Sequence, residues 1–174
     1  MPVYLKEVYD LSGLEGFSSI LIVPCRFCPA ASLALSKEAP YFQFLTKFLK
    51  TDSYEKYLET IKADLCKKGI KADIFKSRLP NQFVICMWTS RRRNKLAEYA
   101  RSYEAVVVMG CETAAQTIFD SIKHTSCKVF KGMRTEGIMS IKPMFHLPLN
   151  ISLELNNITP LVYEDGAPQP WINL

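Results

Sequence analysis

The sequence predicts an α/β layer fold built on a mostly parallel sheet, on three observations. Phe17–Pro24 and Glu104–Gly110 are short apolar runs rich in β-branched residues, the composition of strands buried on both faces. Segments with helical periodicity stand between such runs. The two kinds alternate as far as Gly132, which is the pattern of crossover units.

Taken in order, Phe17–Pro24 follows Gly13 and Gly16 and is stopped by Pro24. Pro29–Lys37 then reads as a helix, with Pro29 suited to the first turn. Pro40 ends it. Tyr41, Phe44, Leu45 and Phe48 recur at helical spacing and predict a second helical piece. A third helix runs from Ser53 to Lys68, with Ser53 as N-cap. Its apolar stripe is Tyr54, Tyr57, Leu58, Ile61 and Leu65, and Gly69 is the stop.

Ile70–Phe75 and Phe83–Trp88 are the next strands predicted. The gap between them is too short for a helical crossover, so they cannot be sequential parallel neighbours; one is an antiparallel edge or is not a strand. Ser90–Arg101 is a helix with Leu96, Tyr99 and Ala100 inward. Glu104–Gly110 is the clearest buried strand. Glu112–Lys123 is a helix with Ala115, Ile118, Phe119 and Ile122 inward, and Lys128–Phe130 opens a last core strand. Together these make residues 1–132 a core of Rossmann/flavodoxin-like, three-layer type. Beyond Gly132 the alternation stops. Residues 133–174 carry Gly137, Pro143, Pro148 and Pro160 among short apolar runs, and predict an irregular, β-rich C-terminal extension that packs on the core or on a partner. Its end, Gly166–Trp171, reads as an extended tail.

Length and composition bound the function. A chain of 174 residues, 48% hydrophobic, buries a core without disulfide staples. Lys and Arg number 22 against 17 Asp and Glu, a net +5, and the one dense basic run is Arg91–Arg93 with Lys95 behind it. That balance predicts an acidic protein partner or a solvated face, with no nucleic acid. No apolar run reaches the roughly 20 residues a membrane span needs. The start, Met1–Glu7, has no secretory pattern, so the expected location is cytoplasmic and the six cysteines are expected to be reduced.

In a parallel sheet the carboxyl ends of the strands form one edge, where α/β folds place their sites. Three predicted strands end there in cysteine: Val23-Pro24-Cys25-Arg26-Phe27-Cys28, Val84-Ile85-Cys86 and Val108-Met109-Gly110-Cys111. Thiolates are soft ligands, suited to zinc or an iron–sulfur cluster, and four of them hold a [2Fe-2S] unit. A C-x-x-C pair opening a helix sets both sulfurs near backbone N–H donors. Gly110 leaves room for a ligand. The competing reading is core packing, which suits Cys86 equally, while a plain core or surface cysteine suits Cys66 and Cys127 better.

Thr89-Ser90-Arg91-Arg92 opens a helix after a strand. With Thr113 it is the candidate anion or cofactor site, against a plain capped helix with a solvated basic face. His124 reads as a helix-end residue and His146 as a packed or surface group. No G-x-G-x-x-G, Walker loop or nucleophile elbow occurs.

The C-x-x-C at the first strand end, the cysteine before a small-residue and Arg turn, and Gly110-Cys111 after Ala-Val-Val-Val resemble the delta subunit of methyl-viologen-reducing hydrogenase. The likeness spans roughly residues 17–120. It implies a [2Fe-2S] cluster on Cys25, Cys28, Cys86 and Cys111, and electron transfer to a protein partner in an anaerobic complex. Phe27 matches the family's aromatic residue between the paired cysteines. The chain departs from the family where Thr113, Ala114 and Ala115 replace a further cysteine, and in a longer insert after the first core strand.

Three functions are therefore expected. The first is an iron–sulfur or other thiolate-metal electron-transfer subunit, working with a protein redox partner or as a homo-oligomer. The second is a thiol oxidoreductase or transferase with Cys25 or Cys111 as nucleophile and an anionic substrate. The third is a flavodoxin-like module that binds a nucleotide or a protein.

Overall fold

A computed structural model describes residues 2–7, 12–43, 51–76, 83–146 and 150–161. Its elements in chain order are β1 (Val3–Glu7), a 3-10 turn (Ser12–Leu14), β2 (Ser19–Pro24), α1 (Cys28–Ser36) and β3 (Phe42–Gln43). Then come α2 (Asp52–Lys67), β4 (Lys71–Ile74), a 3-10 turn (Ile85–Met87), α3 (Ser90–Ala100), β5 (Ala105–Met109) and α4 (Glu112–Ile122). The chain ends in β6 (Lys128–Lys131), β7 (Met133–His146) and β8 (Asn150–Pro160).

The fold is mixed α/β. Strands β4, β2, β5 and β6 form a four-stranded parallel sheet in that spatial order. Counted along the parallel strands alone this is 2-1-3-4, an order compatible with a flavodoxin-like layout. Strand β5 is buried along its whole length, as its Ala-Val-Val-Val-Met sequence requires between two helical layers.

Alternate residues of β2 and β5 feed two cores. Ile20, Ile22, Ala105, Val107 and Met109 face α1 and α2. Leu21, Val23, Cys25, Val106 and Val108 face α3 and α4, where Leu96, Ala100, Ala114, Ile118 and Ile122 meet them. Helix α2 follows its predicted stripe, burying Tyr54, Leu58 and Leu65. It starts one residue before Ser53. Thr51 precedes it, but the Thr51 hydroxyl donates to the Tyr41 carbonyl (2.6 Å) instead of capping the helix. Gly69, at φ +79°, ends α2 in the left-handed conformation that glycine adopts without strain.

The second sheet is antiparallel, in the order β1-β7-β8-β3. It lies against α1, so that helix is sandwiched. Pro29 to Ala34 are all buried, which the small residues Ala30, Ala31, Ser32 and Ala34 permit. Ser32 ties the layers: its hydroxyl donates to the Cys28 carbonyl (3.0 Å) and accepts from the Leu5 amide (3.0 Å).

Three expectations are corrected. Residues 83–88 are not a strand; a 3-10 turn replaces it, closed by Met87 N–H to Val84 O and Trp88 N–H to Ile85 O. Phe83, Ile85 and Trp88 fill the core without a ladder, while Cys86 and Met87 are exposed, and the conflict with the short gap is removed. Phe42–Gln43 is a strand, paired to Asn150 and Ile151, where a helical piece was predicted; residues 44–50 lie outside the described residues. The extension from Met133 is a long antiparallel strand pair, β7 and β8, with one register shift between Ser140 and Ile141, and β1 and β3 flank it. The tail from residue 162 also lies outside the described residues. Among them, no helix is long and apolar enough to cross a membrane.

Candidate thiol site at the carboxyl edge

Strands β2 and β5 are adjacent and in register through Pro24 and Met109, so the chain leaves both at the same height. Cys25 is the first residue past β2, and its N–H donates to Met109 O (2.9 Å). Gly110 lies opposite. A methyl at Gly110 would stand 3.3 Å from the Cys25 Cβ and 2.8 Å from that of Ala114. Cys111 follows and precedes the first turn of α4. Cys28 is the first residue of α1, and Pro29 occupies the next position without needing an N–H partner.

Topology thus sets Cys25, Cys28 and Cys111 along one edge of the sheet. Cys25 is buried, while Cys28 and Cys111 are half-buried. Burial pushes the Cys25 thiol up to about 12 against the opposing pull of the Ile85 and Phe27 amides, and nearby Cys28 and Cys111 raise it further. The Cys28 thiol is also raised, chiefly by burial, with Cys111 and Cys86 adding to it and the Val3 backbone opposing. Cys86 sits on the 3-10 turn, not at a strand end, and is exposed beside Met87, itself 73% exposed. Cys66 is exposed on α2 and Cys127 is buried away from this edge, a surface and a core cysteine respectively.

Two tyrosines back the site. The Tyr54 hydroxyl donates to Met109 O (3.3 Å). Tyr41 is buried in the core cluster against which Cys28 packs, and its hydroxyl has no partner. Burial, with Cys28 and Cys25 nearby, holds the Tyr41 phenol well above its ordinary range. On the far side of Cys111, the Glu112 carboxylate accepts from Lys131 and Thr135. Burial pushes that carboxyl up, but those hydrogen bonds outweigh it and hold it below its usual range.

Among the described residues, no group of three or more His, Cys, Asp or Glu is arranged to hold a metal ion. His146 is exposed on β7, with Nε2 2.7 Å from the Ser152 hydroxyl, and His124 is exposed after α4.

The predicted anion residues are divided. Thr89, Ser90 and Arg91 are exposed at the start of α3, and Thr113 is exposed on α4. Arg92 is instead buried. Its guanidinium stacks on Phe75 (4.2 Å) and Trp88 (5.1 Å), and Nη2 donates to Lys76 O (2.5 Å).

Sequence reasoning passed over Arg26, which is 6% exposed and joined to Glu55 by Nε–Oε1 (2.5 Å) and Nη2–Oε2 (3.2 Å). Its place between Cys25 and Cys28 gave no signal of burial, since Phe27 beside it is exposed. At the opposite edge, Phe17, Ser19, Tyr103 and Lys128 line a shallow open depression remote from these groups. No family of known sequences, no curated protein and no solved structure matches the chain.

Proposed function

We propose that this chain is a cytoplasmic iron–sulfur electron-transfer protein of Rossmann/flavodoxin-like architecture, a subunit of an anaerobic redox complex that works with a protein partner. Cys25, Cys28, Cys86 and Cys111 would hold a [2Fe-2S] cluster. When bound, such a cluster supplies a one-electron relay. The observation that carries the proposal is positional: Cys25 and Cys111 directly follow adjacent strands that pair in register, and Cys28 opens the helix after Cys25. Three thiols from two segments thus stand along one edge, and Cys86, from a third segment, is among the neighbours that raise the Cys28 thiol.

Several features of the edge favour such a group. A two-iron cluster takes two thiolates on each iron, so all four sulfurs would have to close around it, a grouping not found among the described residues as they stand. Resting thiols that burial keeps protonated would lose those protons on binding iron, whose positive charge offsets the cost of a buried thiolate. Gly110 leaves the edge open at Cys25. The unpartnered Tyr41 hydroxyl is a donor of the kind that cluster sulfur accepts. Cys28 and Cys111, at the starts of α1 and α4, lie where backbone N–H groups face outward.

The thiol-enzyme reading ranks second. It asks for a nucleophile with a depressed pKa, and Cys25 is displaced the opposite way. The nucleotide-module reading has no phosphate-binding loop to support it.

The deciding experiment is anaerobic reconstitution with ferrous iron and sulfide, followed by iron and sulfide analysis and electron paramagnetic resonance of the reduced protein. Two irons and two sulfides per chain are expected, with loss of the signal in Cys25→Ser and Cys111→Ser. Protein that retains neither iron nor zinc removes the proposal. Retention that survives both substitutions moves it to other residues.

A further inference from the structure

We propose that the open edge of β8 pairs with the β8 of a second copy of this chain, antiparallel about a two-fold axis at Leu155. The antiparallel sheet is flanked unevenly. Strand β1 covers β7 only from Met133 to Ile138, and β3 covers β8 only at Asn150 and Ile151. Beyond Ile151, no described strand lies beside the outer edge of β8. Pairing fixes which residues face that edge. Ile151 turns its carbonyl outward, where it accepts from the Tyr41 N–H (2.8 Å), and alternation turns Leu153 and Leu155 the same way. Pro143, opposite Leu153, has no N–H and so suits a pair whose members exchange no hydrogen bond. Past the register shift, the Met139 N–H donates to Pro2 O (3.2 Å), away from β8, so its partner Ile158 also faces outward.

The neighbouring edges of this sheet carry devices that discourage pairing. The open stretch of β7 holds Lys142 and Pro143. On β1, the Leu5 N–H is taken by the Ser32 hydroxyl (3.0 Å), and Lys6 follows. From Ser152 to Thr159, β8 has no lysine, arginine or proline, and Glu154 is its one charge. Its irregularity is the extra residue Asn156, since Ile141 pairs with Leu155 and Ser140 with Asn157. That residue makes the edge match itself. Leu153 stands two positions before Leu155 and Ile158 three after, and the bulge absorbs one of the three. About an axis at Leu155, that residue meets its own copy and Leu153 meets Ile158 of the second copy. Each outward N–H then faces an outward C=O. Leu153, Leu155 and Ile158 lie on one face, opposite Pro143, Ile141 and Met139 of β7, so apolar side chains meet apolar ones. Glu154 meets asparagine. An axis one residue earlier would set the two Glu154 carboxylates against each other.

The pairing joins two four-stranded sheets into one continuous sheet. Because the same edge serves both copies, the contact closes on itself and does not propagate. It does not depend on what the thiols bind.

The test is sedimentation and light scattering of the full chain over a range of concentrations, under reductant so that no disulfide between chains contributes. A reversible dimer is expected. Leu155→Lys and Leu155→Glu should each be monomeric, because each sets like charges opposite one another at the axis. Mixing the two variants should restore a dimer. Leu155 is 39% exposed in the single chain, so neither variant replaces a core residue. If they do not fold, hydrogen exchange of the parent chain decides: the Leu153, Leu155 and Ile158 amides should be protected at high concentration and lose protection on dilution. A parent chain that is monomeric up to its solubility limit overturns the proposal. A dimer that survives Leu155→Lys also overturns it, by placing the contact elsewhere, as does a mixture that fails to pair. Protection of the three amides that is unchanged on dilution would overturn it too, because another part of the same chain would then cover the edge.

Discussion

Gly110→Ala is the sharpest perturbation of the thiol edge, because its cost follows from two contacts. The added methyl would stand 2.8 Å from the Ala114 Cβ and 3.3 Å from the Cys25 Cβ. Aliphatic carbons pack best at about 3.5–4.0 Å, so Ala114 must retreat by roughly 0.7 Å and Cys25 by a few tenths. Neither is the loose end of a long side chain. Ala114 belongs to α4, and Cys25 is pinned by its amide to Met109 O. Overpacking of this kind costs about 1–3 kcal/mol. A chain of this size loses about 2–4 °C per kcal/mol, so the midpoint should fall by roughly 2–12 °C. Thermal unfolding followed by tryptophan fluorescence measures it. Gly16→Ala is the control, since nothing stands within 4 Å of a methyl there, and it should stay within about 0.5 kcal/mol of the parent chain. Reconstituted Gly110→Ala should also hold less iron, as Cys25 is displaced from its neighbours. Parental stability together with parental iron content would refute the packing argument and its link to the site.

Burial keeps the folded Cys25 thiol protonated up to about pH 12, whereas an unfolded thiol ionises near about 8.5. Stability from this group is therefore full below about pH 8 and falls by about 1.4 kcal/mol per unit as pH rises between the two values. Urea midpoints of metal-free protein from pH 7 to 10 should show that decline and a shallower one in Cys25→Ala; equal slopes would contradict it. Glu55→Gln strips the charge partner from buried Arg26 and should cost about 2–3 kcal/mol. That is below the roughly 3–5 kcal/mol of a fully enclosed pair, because the Glu55 side chain keeps 28% of its surface in water. A loss under about 0.5 kcal/mol would mean the pair is solvated. In iodoacetamide mapping of native metal-free protein, exposed Cys66 and Cys86 should be modified first and buried Cys25 and Cys127 last. Early modification of Cys25 would contradict its placement.

Local pattern alone was enough for the elements whose stability is local. The run Ala105–Met109 can only be a two-sided strand, and the stripe of α2 with Gly69 behind it marks a helix and its end. What failed depended on distant partners. Val84-Ile85-Cys86 is as apolar as a strand, but it pairs with none of the described strands, and Ile85 packs into the core from a turn. Phe42–Gln43 becomes a strand because β8, more than a hundred residues later, offers the partner. The same limit applied to the site. Cys25 and Cys111 were placed from strand ends, which pairing in register preserves. Arg26 and Arg92 could not be separated from surface cations, because their burial depends on Glu55, Phe75 and Trp88, each supplied by another element.

The antiparallel sheet bears directly on the thiol edge. Helix α1 opens with Cys28 and is built of residues too small to anchor it against one layer alone. Pressed between two sheets, the same small residues let both approach closely. Ser32 joins the helix to β1 through Leu5, and the Val3 backbone acts on the Cys28 thiol itself. Met133 and Met139 of β7 share one core with Ile22 and Met109, the residues that set the height of Cys25 and Cys111. The segment after Gly132 therefore acts on the geometry of sulfur atoms encoded more than a hundred residues earlier, by fixing the helix on which one of them stands.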